Sequence, residues 1–144
     1  MTIKVLVVDD SYLMRKLISD MLSSDPEIRV VGTAENGEKA LEKVQELKPD
    51  VVTLDLEMPG IPGLDVLYEI MHKMPTPVII VSAYSKPGAS ETISALEYGA
   101  VDFITKPSGP ISMDIDKIKD ELIRLVKVAA QVEISKVLVT KKSF

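Results

Sequence analysis

Five polar residues follow short apolar segments, and their types would suit phosphoryl chemistry; they are Asp9, Asp10, Asp55, Ser82 and Lys106. If the three carboxylates share one crevice they repel, since two charges ~4 Å apart cost on the order of 4 kcal/mol at an effective dielectric near 20. Either one carboxylate keeps a proton or a divalent cation binds, and oxygen ligands without His or Cys favour Mg²⁺ or Mn²⁺ over zinc. A metal, a lysine and an aspartate at a strand end are what acyl-phosphate chemistry requires, because the carboxylate attacks phosphorus while the cations offset charge on the phosphoryl oxygens.

The apolar segments predict five strands, and amphipathic helical patterns follow each of them; the strands are expected at 3–8, 28–31, 51–55, 77–82 and 101–105. Strict alternation of this kind predicts a parallel sheet with helices on both faces. A closed barrel of eight units needs about 250 residues, so we expect the open, doubly wound form with flavodoxin-like strand order 2-1-3-4-5. This order brings the carboxyl ends of the first and third strands together, which would gather the polar residues in one crevice.

The composition limits the class of protein. The chain has 144 residues, a net charge of −5 and no cysteine, so we expect no disulfide, a cytoplasmic location and no nucleic-acid partner. No apolar run reaches the ~20 residues of a membrane span, so no membrane insertion is expected. The helical pattern weakens near Val132, which predicts one domain over 1–131 and the start of a linker over 132–144.

Each candidate residue also has an ordinary structural interpretation. An aspartate before a helix is often only an N-cap, and a serine that ends a strand is usually a turn former. Other phosphate and hydrolase sites lack their motifs, because the chain has no Walker loop, no G-x-G-x-x-G and no G-x-S-x-G. The single histidine, His72, falls in the third helical pattern, so we expect it to be structural or exposed rather than part of the crevice.

Four segments resemble the response-regulator receiver family over roughly residues 3–130; they are 7–11, 54–60, Ser82-Ala83 and Lys106-Pro107. The resemblance implies that Asp55 is the phosphoacceptor and that Asp9, Asp10, Asp55 and the backbone carbonyl of Glu57 hold Mg²⁺, with Mn²⁺ possible. It implies that Ser82 and Lys106 bind the phosphoryl group, that Ser82 and Phe103 act in switching, and that the Lys106–Pro107 peptide is cis. Phe103 stands where many receivers carry tyrosine, so its ring cannot hydrogen-bond.

A narrower resemblance is to the N-terminal receiver of the chemotaxis protein-glutamate methylesterase family, through residues 10–15, 53–59, 63–65 and 95–109. It implies phosphorylation by a chemotaxis histidine kinase and control of an attached C-terminal methylesterase and glutaminase, which acts on chemoreceptors. The segment itself would then catalyse only Mg²⁺-dependent self-phosphorylation and dephosphorylation. Two alternatives are a free-standing receiver that acts by partner binding and a haloacid-dehalogenase-type phosphatase, although that class carries D-x-D after its first strand and Asp9-Asp10-Ser11 lacks the second aspartate.

Overall fold

The fold is one parallel sheet with five strands in the order β2-β1-β3-β4-β5. The computed structural model describes residues 2–83, 90–106 and 115–132. The strands are β1 Ile3–Val8, β2 Ile28–Ala34, β3 Val51–Leu54, β4 Val78–Ser82 and β5 Asp102–Thr105. The helices are α1 Tyr12–Ser23, α2 Gly37–Leu47, α3 Gly63–Lys73, α4 Ser90–Glu97 and α5 Ile115–Ala129. The predicted fold class and strand order are confirmed.

Both faces of the sheet are covered, which explains why the strands consist almost entirely of apolar residues. Successive side chains point to opposite faces, so Leu6 and Val8 pack in one core cluster with α2, α3 and α4. Val5 and Val7 pack in a second cluster with α1 and α5. The core on each face fixes the strands in register, and this holds their carboxyl ends at one edge.

Local sequence signals set the helix ends. The Ser11 hydroxyl caps α1 by accepting a hydrogen bond from the Met14 amide at 3.3 Å. Asn36 caps α2 in the same way through the Lys39 amide at 2.8 Å. Lys48 ends α2 in the left-handed conformation with φ of 48°, a position where glycine or asparagine is more usual.

The predicted boundaries differ from the structure at several places. β2 continues three residues beyond the predicted end, because a register shift after Val5 lets Leu6–Val8 pair with Gly32–Ala34. A glycine and a threonine interrupt the apolar pattern there, so the sequence did not indicate this extension. β3 ends at Leu54 rather than at Asp55, although the Asp55 amide still donates to the Val8 carbonyl at 3.1 Å. The Lys106–Pro107 peptide, predicted to be cis, lies outside the described residues.

The loop after β3 returns tightly onto the strand. The Gly63 amide donates to the Leu56 carbonyl at 3.2 Å. A Cβ atom at position 63 would lie 2.4 Å from Leu56 Cα and 2.8 Å from the Asp55 carbonyl oxygen. Only glycine therefore fits at the start of α3, directly against the backbone that carries Asp55.

Candidate functional site

Three carboxylates meet at the carboxyl edge of the sheet. Asp9 and Asp10 follow β1, and Asp55 follows its neighbour β3. One carboxylate oxygen from each of the three lies within 4.8 Å of the others. Asp9 is fully buried and Asp55 is 3% exposed, whereas Asp10 is exposed. The predicted convergence of these residues is confirmed.

Lys106 reaches the same point from the end of β5. Its Nζ atom lies 2.6 Å from Asp9 Oδ2 and 3.0 Å from Asp55 Oδ2. The Lys106 amide donates to the Ser82 carbonyl at 3.2 Å, so β4 positions the backbone from which the lysine extends. The Lys106 side chain is 13% exposed, which means that its charge is poorly solvated and is offset mainly by the two aspartates.

Backbone amides hold the other oxygens of the two buried carboxylates. Asp9 Oδ1 accepts from the Ser11 amide at 2.9 Å. Asp55 Oδ1 accepts from the Glu57 amide at 3.1 Å. Each is a turn in which an aspartate bonds its own backbone two residues ahead. The two carboxylates are therefore oriented before any ligand binds.

Burial and charge act against each other at this site. Burial raises the pKa of the Asp9 carboxyl group, the nearby Asp55 charge raises it further, and the pairing with Lys106 only partly opposes this. Burial alone would lower the pKa of Lys106, but the contacts with Asp9 and Asp55 together raise it. The surroundings therefore favour the charged form of Lys106 and disfavour the charged form of Asp9 relative to a free aspartate.

The donor atoms fit a hard divalent cation. The buried Oδ2 atom of Asp9 is paired with the Lys106 charge at 2.6 Å, and among the described residues it accepts no well-aligned hydrogen bond. Beside it, Asp10 and Asp55 offer further carboxylate oxygens. Carboxylate, carbonyl and water oxygens are the ligands that Mg²⁺ prefers. Asp9, Asp10 and Asp55 are therefore the described residues that could hold a hard divalent cation.

The remaining predicted residues lie around this cluster. Ser82 is fully buried at the end of β4. Glu57 is exposed at the rim, and its pKa is raised by partial desolvation and then by the carboxylates of Glu91 and Asp55. Phe103, on β5, is half-buried against the α2–α3–α4 core cluster. His72 is exposed on α3, with Nδ1 3.0 Å from the Tyr68 carbonyl oxygen.

One residue of the site was not recognised from the sequence. The Arg15 Nη1 atom donates to the backbone carbonyl of Asp9 at 2.8 Å. Side chains on a helix lean toward its N-terminus, so a long cationic side chain one turn after the Ser11 cap can reach back to the preceding loop. That spacing was the available signal, but spacing alone does not show which loop atom would be contacted.

Comparison with known proteins places the site in a family. Residues 5–116 match the response regulator receiver domain. The chain is 57% identical over 134 residues to a protein-glutamate methylesterase/protein-glutamine glutaminase of Geobacillus kaustophilus, a match that covers 93% of this chain and 38% of that protein. The Bacillus subtilis protein of the same name is 55% identical over 127 residues, covering 88% of this chain and 36% of the relative. The chain thus spans less than two fifths of the length of these curated relatives.

A solved structure of a receiver domain has the same fold as this chain. The response regulator domain of Thermotoga maritima CheB superposes with a TM-score of 0.87 at 49% identity, and the match covers 92% of this chain and 99% of that domain. The likenesses favour neither a free-standing receiver nor a haloacid-dehalogenase-type phosphatase. By its matched sequence, its strand order and its cluster of acidic residues, this chain belongs to the response regulator receiver domain family.

Proposed function

We propose that Asp55 accepts a phosphoryl group from the phosphohistidine of a chemotaxis histidine kinase. The observation that carries the proposal is the position of Lys106 Nζ, 3.0 Å from Asp55 Oδ2 and 2.6 Å from Asp9 Oδ2. The Asp55 carboxylate is already oriented, with the Lys106 ammonium in place for the charge that builds up on the phosphoryl oxygens.

The transfer itself is a displacement at phosphorus. One Asp55 oxygen attacks, the bond from phosphorus to the donor imidazole nitrogen breaks, and the imidazole leaves with its electron pair. Both Asp55 oxygens have a partner beforehand, Oδ2 in Lys106 and Oδ1 in the Glu57 amide. Whichever oxygen attacks, its former donor is then able to bond a phosphoryl oxygen.

Asp9, Asp10, Asp55 and the backbone carbonyl of Glu57 would hold Mg²⁺, or Mn²⁺ in its place. The cation supplies charge neutralisation on the phosphoryl oxygens when it is bound. The proximity of the three carboxylates, whose summed negative charge exceeds what Lys106 alone can offset, supports this assignment.

Ser82 and Phe103 would carry the signal away from Asp55. A phosphoryl group adds negative charge and acceptor oxygens, so we expect it to draw Ser82 and Lys106 inward. Phe103 is only half-buried, so it can turn further into the core beside β4. NMR of a beryllofluoride complex should shift Ser82 and Phe103 together, and shifts restricted to residues that touch the ligand would count against a switch.

The test of the acceptor is Asp55→Asn, which keeps the shape of the side chain but removes its nucleophilic charge. Incubated with acetyl phosphate and Mg²⁺, the wild type should gain one phosphoryl group by intact mass and the variant none. Asp20→Asn is the matched control, because Asp20 is exposed and, within the described part of the chain, its carboxylate pairs with Lys16 alone, at 3.6 Å. Labelling of Asp55→Asn at the wild-type level would refute the assignment.

We further propose that this domain regulates a protein-glutamate methylesterase and glutaminase attached after the predicted boundary at 131/132, in a cytoplasmic protein whose catalytic domain acts on chemoreceptors. The names of the relatives and their greater length support this proposal. Within the described residues no helix combines the length and hydropathy needed to cross a membrane.

In the full-length protein, the unphosphorylated receiver should slow ester hydrolysis. Inter-domain contacts are modest and partly polar, so a charge change on one domain should relieve the inhibition in part. The esterase rates of the full chain, the phosphorylated full chain and the catalytic part alone should rise in that order. Equal rates in all three would exclude inhibition by the receiver.

A further inference from the structure

The loop between β1 and α1 carries two of the three clustered carboxylates, and they are held very differently. Asp9 is buried, with its carboxylate bonded to the Ser11 amide and close to Lys106. Asp10 is exposed, and within the described part of the chain no hydrogen bond or ion pair to its carboxylate is found. The direction of the Asp10 side chain therefore depends on the backbone from which it leaves.

Arg15 holds that backbone. Its Nη1 atom donates to the Asp9 carbonyl at 2.8 Å, and its guanidinium carbon lies 5.8 Å from the centre of the Tyr12 ring. The ring contact is a cation–π interaction, which adds a second restraint on the guanidinium. The Arg15 amide is already bonded to the Ser11 carbonyl at 2.9 Å, so the root of the side chain is also fixed.

The Asp9 carbonyl belongs to the peptide unit that leads into Asp10. This unit is planar, so fixing the direction of the carbonyl also fixes the plane from which the Asp10 Cα atom departs. Released from Arg15, the unit could rotate and turn the exposed Asp10 carboxylate away from Asp9 and Asp55. The Arg15 contact thus preserves the spacing of the carboxylate cluster.

We propose that Arg15 is a positioning residue for the cation site: its hydrogen bond to the Asp9 carbonyl orients Asp10 toward Asp9 and Asp55. The proposal rests on the magnesium site of the proposed function. It predicts that removing the positive charge of Arg15 weakens Mg²⁺ binding, which is opposite to the electrostatic expectation. A positive charge near a cation site repels the cation, so a purely electrostatic role for Arg15 would make its removal strengthen Mg²⁺ binding.

The test compares Mg²⁺ affinity by calorimetric titration in four proteins: wild type, Arg15→Met, Arg15→Lys and Lys16→Met. Arg15→Met should bind Mg²⁺ about tenfold more weakly, the usual loss when a residue that orients metal ligands is removed. Arg15→Lys should fall between it and the wild type, because lysine keeps the charge and one donor but not the planar fork. Lys16→Met is the matched control, because it removes the same charge from the neighbouring residue, whose side chain is 62% exposed. It should bind Mg²⁺ as tightly as the wild type or more tightly. Equal or tighter binding by Arg15→Met would overturn the proposal.

A second readout needs no metal. The Ser11 amide, bonded to Asp9 Oδ1 at 2.9 Å, reports the order of the loop. Its hydrogen exchange should be about tenfold faster in Arg15→Met without metal, as expected for loss of a hydrogen bond to a charged group, while urea unfolding verifies that the domain is folded. An unchanged exchange rate would contradict the proposal.

Asp10→Ala separates this proposal from the one on which it rests. Loss of Mg²⁺ binding in Asp10→Ala together with unchanged binding in Arg15→Met would overturn only the role of Arg15. Wild-type Mg²⁺ affinity in Asp10→Ala would refute the predicted ligand set and, with it, the role of Arg15 in orienting Asp10.

Discussion

Two lysines at opposite ends of the sheet each contact two carboxylates. Lys106, at the carboxyl ends of the strands, lies 2.6 Å from Asp9 and 3.0 Å from Asp55. Lys127, near the end of α5, lies 2.9 Å from Asp25 and 3.4 Å from Glu27. The distances are similar, but the Lys106 side chain is 13% exposed and that of Lys127 is 36% exposed.

The difference in burial reverses the direction in which the pKa of the paired aspartate is shifted. The Lys127 cluster is the more exposed of the two, although the Asp25 side chain is itself only 16% exposed. There the hydrogen bond with Lys127 lowers the pKa of Asp25, which favours its charged form. At the buried cluster, loss of hydration raises the pKa of Asp9 despite the closer lysine. A charge that its surroundings do not fully offset favours the arrival of another cation, which is why the buried cluster is a candidate for chemistry and the exposed one is a structural tie.

The largest effect is expected for Lys106→Met. Without metal at neutral pH, the free energy of unfolding should fall by about 3 kcal/mol, the lower end for breaking a buried ion pair, because Asp9 can take up a proton. Mg²⁺ should recover part of the loss and should bind more tightly than to the wild type, since no lysine competes for Asp9 and Asp55. Urea unfolding with and without Mg²⁺ measures both effects. Lys127→Met is the matched control, and an equal loss in the two variants would remove the distinction between the clusters.

An intermediate effect is expected for Asp9→Asn in metal-free protein. The folded pKa of Asp9 is raised above the unfolded value of 3.8, so between the two pKa values the folded state binds more protons. Stability should therefore decline as pH rises through the folded pKa. Asp9→Asn should remove this decline and be more stable than the wild type at neutral pH in the presence of a chelator. Parallel pH profiles of the unfolding free energy would contradict the expectation.

The smallest effect is expected at the exposed cluster, for Asp25→Asn. The folded pKa of Asp25 is lowered from 3.8. Its stabilising contribution should be complete above pH 3.8 and disappear as pH falls through the folded value. The urea midpoint of the variant should lie slightly below that of the wild type at neutral pH, and the two should converge in acid. A constant difference down to the lowest pH would mean that the contact is not ionic.

Much of the fold and of the candidate site could be predicted from the sequence, because the signals for them were local or followed from the order of the strands. Ile3–Val8 was predicted with the observed bounds. The gathering of Asp9, Asp55 and Lys106 followed from parallel strands that share an edge. The closer approach of Lys106 to Asp9 than to Asp55 could not be predicted, since it depends on where a flexible side chain finds room. The raised pKa of Asp9 depends in the same way on burial in three dimensions.

The close approach of Gly63 to the segment after β3 limits how far Asp55 can move. The Gly63 backbone lies so close to Leu56 and Asp55 that there is no room even for a methyl group between the start of α3 and the segment that carries Asp55. At the far end of the sheet, Lys127 ties α5 to the loop before β2. If Asp55 is phosphorylated as proposed, its tightly packed backbone leaves it little room to move. We therefore expect any change in structure to occur in the residues that face Asp55 from β4 and β5, namely Ser82, Phe103 and Lys106.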